Sequence, residues 1–180
     1  HAEVASACVR EGASIVNDVS GFRDPEMVAL AAECEAGLVV MHMLGEPKTM
    51  QENPVYEDVV DELYGFFVER LNWAVDHGVK EENLLIDPGL GFGKTTAHNL
   101  EILRNLEAFR SLGRPLVVGA SRKRFLGEIL GITDPKGRDA ATAAVTVIAA
   151  AAGVHIVRVH EVGVNRDAAR LTRAVFGPED

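Results

Sequence analysis

The sequence lacks the surplus of basic residues that nucleic-acid and anionic-membrane surfaces require. Its 180 residues include 18 Lys and Arg residues against 27 Asp and Glu residues, so the formal net charge is -9. We therefore expect neither a nucleic acid nor a membrane as a partner. An anionic small molecule is compatible with this charge only where cations are concentrated locally.

Long apolar runs and paired cysteines are missing as well. No run reaches the roughly 18 apolar residues that indicate a membrane span, and the first residues show neither Met nor the regions of a signal peptide. Cys8 and Cys34 form no CxxC pattern, which is typical of reduced thiols in a cytoplasmic protein. The absent Met predicts that upstream residues were cut or left out.

The glycine-rich stretch 89–93 does not match the common nucleotide-binding patterns. Its glycines are spaced G-x-G-x-G rather than GxGxxG, and Pro88 stands where a P-loop ending in Gly-Lys-Thr needs its first glycine. No His, Cys, Asp and Glu residues have zinc-site spacing, and no GxSxG signature of a nucleophile occurs. ATP, NAD, zinc and covalent catalysis therefore have little support.

What the sequence does contain is a regular alternation of strand and helix patterns. Five runs are rich in β-branched and aliphatic residues without strict polar alternation, which favours strands buried on both faces of a parallel sheet. The predicted strands cover 14–19, 38–43, 84–87, 116–120 and 156–162. The predicted helices cover 2–11, 24–36, 57–77, 98–111, 138–152 and 163–176.

This order predicts an α/β fold with right-handed crossovers and a single domain over residues 1–180. A closed (β/α)8 barrel needs eight strands and about 250 residues. We therefore predict a partial (β/α)8 barrel of about five parallel strands with flanking helices. A doubly wound sheet is the alternative that strand number alone leaves open.

Polar side chains follow nearly every predicted strand, at the edge where β/α folds bind their ligands. Asp87, ahead of the glycine-rich stretch, could accept two neighbouring N–H groups of an amidine or amino-pyrimidine edge. The plainer alternative is that Asp87 caps the next helix. The polar residues at strand ends are Asn17, Asp18, His42, Asp87, Ser121, Arg122, Lys123, Arg158 and His160.

Two basic groups among these residues predict an anion site. Arg158 and His160 are two positions apart in a predicted strand, so they share a face and form a candidate phosphate-binding pair. Lys123 could donate to a carbonyl group or an anion. The alternatives are a structural histidine beside an ion-paired arginine and a solvated cluster at 122–124. We predict a structural role for His42 and an apolar wall from Met41 and Met43.

Five motifs together resemble dihydropteroate synthase, and they occur in the order of that family. They are the residues 15–19, 41–51, 87–94, 121–123 and 158–160. The resemblance implies a transferase of folate biosynthesis that condenses p-aminobenzoate with a dihydropterin pyrophosphate. It also implies that Asn17 and Asp87 bind the edge of the pterin ring, with Lys123 on the carbonyl side.

The resemblance assigns further residues to the site. It implies that Met41 and Gly119 line the pterin slot and that Phe92 and Ser121 border the p-aminobenzoate region. Arg158 and His160 would hold the pyrophosphate, so the implied catalytic residues are Lys123, Arg158 and His160.

The chain departs from the family at its start. The family's N-terminal third, with strands one to three, a Mg²⁺-binding Asn and two mobile loops, has no counterpart in these residues. We therefore expect strands four to eight here, with Mg²⁺ as a cofactor whose main ligand lies in the missing part. The family also implies a homodimer, with a face formed by 138–152 and the last helix.

Two other functions stay open at this point. A methyltetrahydrofolate methyltransferase would share the Asn17 and Asp87 contacts but would not need the pair Arg158 and His160. A non-catalytic pterin-binding fragment is the second alternative.

Overall fold

The strands in the described part of the protein are parallel and follow one another in chain order. A computed structural model describes residues 1–34, 36–46, 49–50 and 52–177. One sheet has the order β1-β2-β3 and another pairs β4 with β5, and a parallel bridge between Ile86 and Leu116 joins the two. The strands are β1 (Ile15–Asp18), β2 (Gly37–Met41), β3 (Leu84–Asp87), β4 (Val117–Val118) and β5 (Ile156–Val157).

Helices separate the strands, which confirms the α/β fold with a parallel sheet. The helix that Asp24 and Pro25 predict begins as expected, because the Asp24 side chain accepts a hydrogen bond from the backbone N–H of Glu26. None of the helices in the described ranges is long and apolar enough to cross a membrane. The helices are α1 (Ala2–Arg10), α2 (Pro25–Glu33), α3 (Val59–Asp76), α4 (Thr96–Arg104), α5 (Arg124–Leu130), α6 (Asp139–Ala151) and α7 (Val162–Phe176).

The main core lies between the strands and the helices. Phe67 of α3 and Phe109 are both fully buried and meet edge to face, with ring centroids 5.9 Å apart. The opposite face of the strands carries a smaller apolar cluster, made of Val39, Leu85, Val117 and Ile156. The strands β2, β3 and β4 are therefore buried on both sides, as their continuous apolar patterns predict, whereas Ile15 and Asn17 of β1 are exposed.

Two predicted helices were wrong in their extent. Instead of one helix over 98–111, α4 ends at Arg104 and a 3₁₀ turn covers Leu106–Leu112. The Asn105 amide donates to the Glu101 carbonyl, so this side chain competes with the backbone where the α-helix stops. The helix predicted over 24–36 ends at Glu33, and Glu35 lies outside the described residues.

The region after the fourth strand differs more from the prediction than these two helices do. The sequence predicted no helix between 120 and 138, yet α5 forms there and a 3₁₀ turn over Pro135–Arg138 follows. Seven residues are too few to show a helical period clearly. The fifth strand was predicted through 162, but β5 ends at Val157 and Val162 begins α7. Arg158 and His160 therefore lie beyond the strand, although the Arg158 N–H still donates to the Val118 carbonyl at 2.9 Å.

Candidate functional site

Strand register brings the predicted site residues to one face. Met41 lies opposite Asp87, and Asn17 lies opposite Val39, whose side chain belongs to the smaller apolar cluster. Because successive side chains of a strand point to opposite faces, Asn17, Met41 and Asp87 share the face of that cluster. Gly119 and Arg158 come two residues after its members Val117 and Ile156. The candidate site is therefore the last layer of this face, at the carboxyl ends of the strands.

Arg158 connects the two residues that are predicted to bind a pterin edge. Its Nη1 lies 2.8 Å from Asn17 Oδ1, and its Nη2 lies 3.0 Å from Asp87 Oδ2. Asp87 is 1% exposed, whereas the Arg158 side chain is 46% exposed. Gly119 makes room for this arrangement, since a Cβ there would lie 2.6 Å from the guanidinium Nη2. A planar group of N–H donors thus lies on the carboxylate and the amide.

The other oxygen of Asp87 organises the turn that follows β3. Asp87 Oδ1 accepts a hydrogen bond from the backbone N–H of Gly89 at 2.8 Å. Asp87 does not cap α4, whose N-cap is Thr95. Gly89 has a φ of +64°, and a Cβ there would collide with the His42 carbonyl oxygen, so only glycine fits. The carboxylate is therefore held by its own turn while one oxygen faces the site.

A pocket of about 300 Å³ opens beside Arg158. Six of the predicted site residues line it. Asn17 and Asp87 contact the pocket through their hydrogen bonds to Arg158. Met41 is fully buried and lies beside Asp87 on the neighbouring strand. The residues that line it are Phe92, Gly119, Ser121, Lys123, Arg158, Val159 and His160.

Lys123 supplies a second cation to the pocket. Its Nζ lies 4.3 Å from the centroid of the Phe92 ring, a cation–π contact, and donates to the Leu90 carbonyl. Burial lowers the pKa of Lys123 to about 8, with Asp87 acting in the opposite direction and Arg158 in the same direction. This lysine can therefore present either a charged or a neutral amine near neutral pH.

The neighbouring Arg122 shapes the loop from outside the pocket. Its backbone adopts a φ of +59°, a conformation that is strained for a residue with a side chain. Its guanidinium forms two hydrogen bonds to Asp139 at 2.8 and 2.9 Å and one to Glu161 at 3.1 Å. Arg122 thus holds the loop on α6, which directs Ser121 and Lys123 toward the pocket.

His160 is paired with Ser121 rather than with Arg158. The Ser121 Oγ lies 2.8 Å from His160 Nδ1, and the backbone N–H of His160 donates to the same Oγ at 3.1 Å. The guanidinium of Arg158 is directed to Asp87 instead. Arg158 and His160 both line the pocket. Their side chains bind different partners, so the two do not point toward one shared anion position.

His42 has the structural surroundings that the sequence predicted. It is 7% exposed and meets the Phe66 ring edge to face, with centroids 4.8 Å apart. Burial, followed by the charges of Lys94 and Arg23, lowers the pKa of His42 to about 3, so its ring is neutral. Pro47, Lys48 and Gln51 of the predicted 41–51 motif lie outside the described residues.

Three residues near the site were not singled out by the sequence. Lys94 is 3% exposed, and its Nζ reaches three acceptors behind the glycine-rich turn. Tyr56 and Asn99 bind the backbone of the same turn. For Lys94, the sequence offered one indication of a buried role, its position next to a glycine-rich stretch. Lysines in that position also occur in solvated loops.

The geometry agrees with comparisons to known proteins. A sequence profile described as pterin binding enzyme matches residues 1–160. Dihydropteroate synthase of Synechocystis is 44% identical over 162 residues, 89% of this chain and 56% of the relative. The Escherichia coli enzyme of the same name is 39% identical over 178 residues, 99% of this chain and 63% of the relative.

Solved structures give the same result. Dihydropteroate synthase from Stenotrophomonas maltophilia superposes with a TM-score of 0.95 at 46% identity, covering 100% of this chain and 68% of that one. The enzyme from Xanthomonas albilineans in complex with 7,8-dihydropteroate superposes with a TM-score of 0.92 at 38% identity, covering 99% and 67%. The chain spans 56 to 63% of the length of the two curated relatives above. The chain therefore belongs to the family of pterin-binding enzymes, among the dihydropteroate synthases.

Proposed function

We propose that the protein to which this chain belongs condenses p-aminobenzoate with 6-hydroxymethyl-7,8-dihydropterin pyrophosphate, giving 7,8-dihydropteroate and pyrophosphate. The observation that carries the proposal is the placement of the Arg158 guanidinium on Asn17 and Asp87. A guanidinium and the amino-pyrimidine edge of a pterin both present coplanar N–H donors. The contacts of Arg158 therefore mark where such an edge would bind.

The remaining residues of the pocket fit the rest of the reaction. Lys123 lies within reach of a ring carbonyl, and its charge is close to Asp87. Ser121 and His160 offer donors at the open end, where a pyrophosphate would extend, and Arg158 could join them once a pterin takes its place on Asp87. Phe92 provides an aromatic surface for the arylamine. We therefore divide the pocket into a pterin part, an anion part and an arylamine part.

The chemistry needs positioning and stabilisation of charge rather than a covalent enzyme intermediate. The bond between the pterin methylene carbon and the pyrophosphate oxygen breaks, and the pyrophosphate leaves with the electron pair. The amino nitrogen of p-aminobenzoate forms the new bond to that carbon and loses one proton. Arg158 and His160 would stabilise the leaving anion, while Lys123 and Asp87 hold the ring.

We also propose that the five strands correspond to strands four to eight of a (β/α)8 barrel. Their parallel order in the chain supports this, and so does the polar edge above an apolar layer. Mg²⁺ stays a prediction of the resemblance. Among residues 1–34, 36–46, 49–50 and 52–177, no three His, Cys, Asp or Glu residues form a group that could hold a metal ion. The resemblance places the main ligand outside this chain, so we assign no step to a metal.

A homodimer and a cytoplasmic location likewise stay predictions. Exposed apolar side chains on α6 and α7 support a dimer face; they are Val147, Ile148, Leu171, Val175 and Phe176. Exposed apolar side chains of this size are typical of an interface where they form one patch.

The test is incorporation of labelled p-aminobenzoate into dihydropteroate by the full gene product, with release of pyrophosphate measured in parallel. We expect equal amounts of the two products. Methyl transfer from methyltetrahydrofolate without pyrophosphate release would identify the methyltransferase alternative. Pterin binding measured by calorimetry without either reaction would identify a non-catalytic binder.

A further inference from the structure

Lys94 is buried although its side chain ends in an ammonium group. It is 3% exposed. Its Nζ lies 2.9 Å from His42 Nδ1 and donates to the carbonyls of Gly89 at 3.2 Å and Phe92 at 3.0 Å. An ammonium group has three donors, and these three acceptors use all of them. Lys94 is therefore enclosed and fully bonded.

This placement is electrostatically expensive. Burial lowers the pKa of Lys94 to about 7, while Asp87 acts to raise it and Lys123 to lower it. An apolar side chain in the same space would avoid the cost of desolvating a charge. Stability alone therefore explains Lys94 poorly, and its bonds to one particular turn suggest a role for that turn.

The turn in question, residues 88–93, is called the glycine turn below. Gly89, Gly91 and Gly93 all have positive φ values. A glycine-rich backbone has many accessible conformations, so it needs bonds from outside to keep one of them. Such bonds come from Lys94, from the Tyr56 hydroxyl to the Gly93 carbonyl at 2.8 Å, and from Asn99, whose Oδ1 accepts from the Gly91 N–H at 2.7 Å.

The glycine turn carries Phe92 into the pocket. Lys94 binds the Phe92 carbonyl itself, and the Phe92 N–H donates to the Gly89 carbonyl at 3.0 Å, which Lys94 also binds. Asp87 has a second support, because it ends β3 and pairs with β2, although its Oδ1 also accepts from the Gly89 N–H of the turn. Loss of Lys94 would therefore release Phe92 more than Asp87.

We propose that Lys94 is a positioning residue that fixes the Phe92 ring at the arylamine part of the pocket. This inference rests on the proposed function, because it takes p-aminobenzoate to be the molecule that meets Phe92. Lys94 is not among the residues that line the pocket beside Arg158. It acts through the backbone of the glycine turn.

The first test compares Lys94→Met with Lys136→Met in the full gene product. Lys136 is exposed in the 3₁₀ turn before α6, so its variant controls for removing a lysine charge. A displaced aromatic wall predicts a KM for p-aminobenzoate that is about tenfold higher in Lys94→Met. The dissociation constant for the pterin should change less than this KM, because Asp87 is held by β3 as well as by the Gly89 N–H.

The second test avoids emptying a buried position. Tyr56→Phe removes one hydroxyl from the glycine turn, and Tyr64→Phe removes a hydroxyl that instead accepts from Ser111. We expect a smaller rise in the KM for p-aminobenzoate with Tyr56→Phe and none with Tyr64→Phe. This pair keeps the idea testable if Lys94→Met does not fold.

The outcomes separate the two proposals. An unchanged KM for p-aminobenzoate in Lys94→Met and Tyr56→Phe, with the wild type active, would overturn the role of Lys94 alone. A lower unfolding temperature with unchanged kinetic constants would do the same, since it describes a purely structural lysine. A wild type that forms no dihydropteroate would overturn the proposed function and this inference with it.

Discussion

The guanidinium of Arg158 and the carboxylate of Asp87 form an ion pair at 3.0 Å between residues that are 71 positions apart in the chain. The same guanidinium binds Asn17 at 2.8 Å. Arg158 thus occupies the two acceptors that we propose for a pterin edge. A pterin can reach them only if Arg158 turns away, toward the part of the pocket with Ser121 and His160.

Removing Arg158 should affect the binding of the pterin ring and the binding of the pyrophosphate group in different ways. In Arg158→Ala, a free hydroxymethyl pterin should bind at least as tightly as in the wild type, because its competitor for Asp87 is gone. The pyrophosphate ester should bind more weakly, by about 1–3 kcal/mol, because a charged hydrogen bond is lost. Calorimetry with both ligands measures this difference, and Arg170→Ala on the exposed face of α7 is the control. If Arg158→Ala weakened the binding of both ligands equally, Arg158 would not compete with the pterin for Asp87.

Asp87→Asn should weaken the binding of every ligand with a pterin edge. The amide keeps the shape of the carboxylate but loses its charge and one acceptor, which we expect to cost about 1–3 kcal/mol of binding free energy. Asp167→Asn, at a position exposed on α7, is a matched control and should leave binding unchanged. Titration of pterin fluorescence gives both dissociation constants. A pterin affinity unaltered by Asp87→Asn would remove Asp87 from the site.

Pterin affinity should fall as the pH rises through about 8. Lys123 has its pKa lowered to about 8 by burial, so its charged form is lost as the pH rises through that value. At about pH 9.5 only about 3% of Lys123 would be charged. Binding that requires the charged donor would then be weaker by up to about 30-fold than at pH 7.

Lys94, whose pKa is lowered to about 7, titrates in the same range and needs a control. Lys123→Met removes the dependence that belongs to Lys123, and Lys94→Met removes the one that belongs to Lys94. Because the charge of Lys123 helps to lower the pKa of Lys94, the part that Lys94→Met retains and Lys123→Met loses is assigned to Lys123. Identical profiles in the wild type and Lys123→Met would show that Lys123 does not control binding.

Gly89→Ala should destabilise the protein and disturb the site together. The added Cβ would collide with the His42 carbonyl and would occupy a positive φ, so we expect a loss of at least about 1–3 kcal/mol of unfolding free energy. Gly163→Ala is the matched control, because Gly163 lies in α7 and an added Cβ would meet nothing within 4 Å. Urea unfolding of both variants checks the prediction. Equal stability of the two would mean that the glycine turn adapts to a side chain.

The sequence predicted the strands and the ligand edge because both depend on local patterns. Apolar runs identified all five strands, and the polar residues after them lie at the carboxyl ends as expected. The alternation of side chains also placed His42 opposite Met41. Short helices and strand lengths were harder to predict from the sequence. Helix α5 has too few residues to show a period, and the length of β5 depends on pairing with β4.

The sequence by itself determined the alternating α/β fold, the parallel sheet and the set of residues at its carboxyl edge, because periodicity and strand-end position are local properties of a chain. Only the tertiary structure decided how those residues are bonded. Arg158 reaches Asn17 across 141 positions, and Lys94 is buried against His42, which follows β2, instead of lying in solvent. A lysine or arginine in a loop can lie in water or against a buried acceptor, and only the packing of distant segments excludes the water and supplies the acceptor.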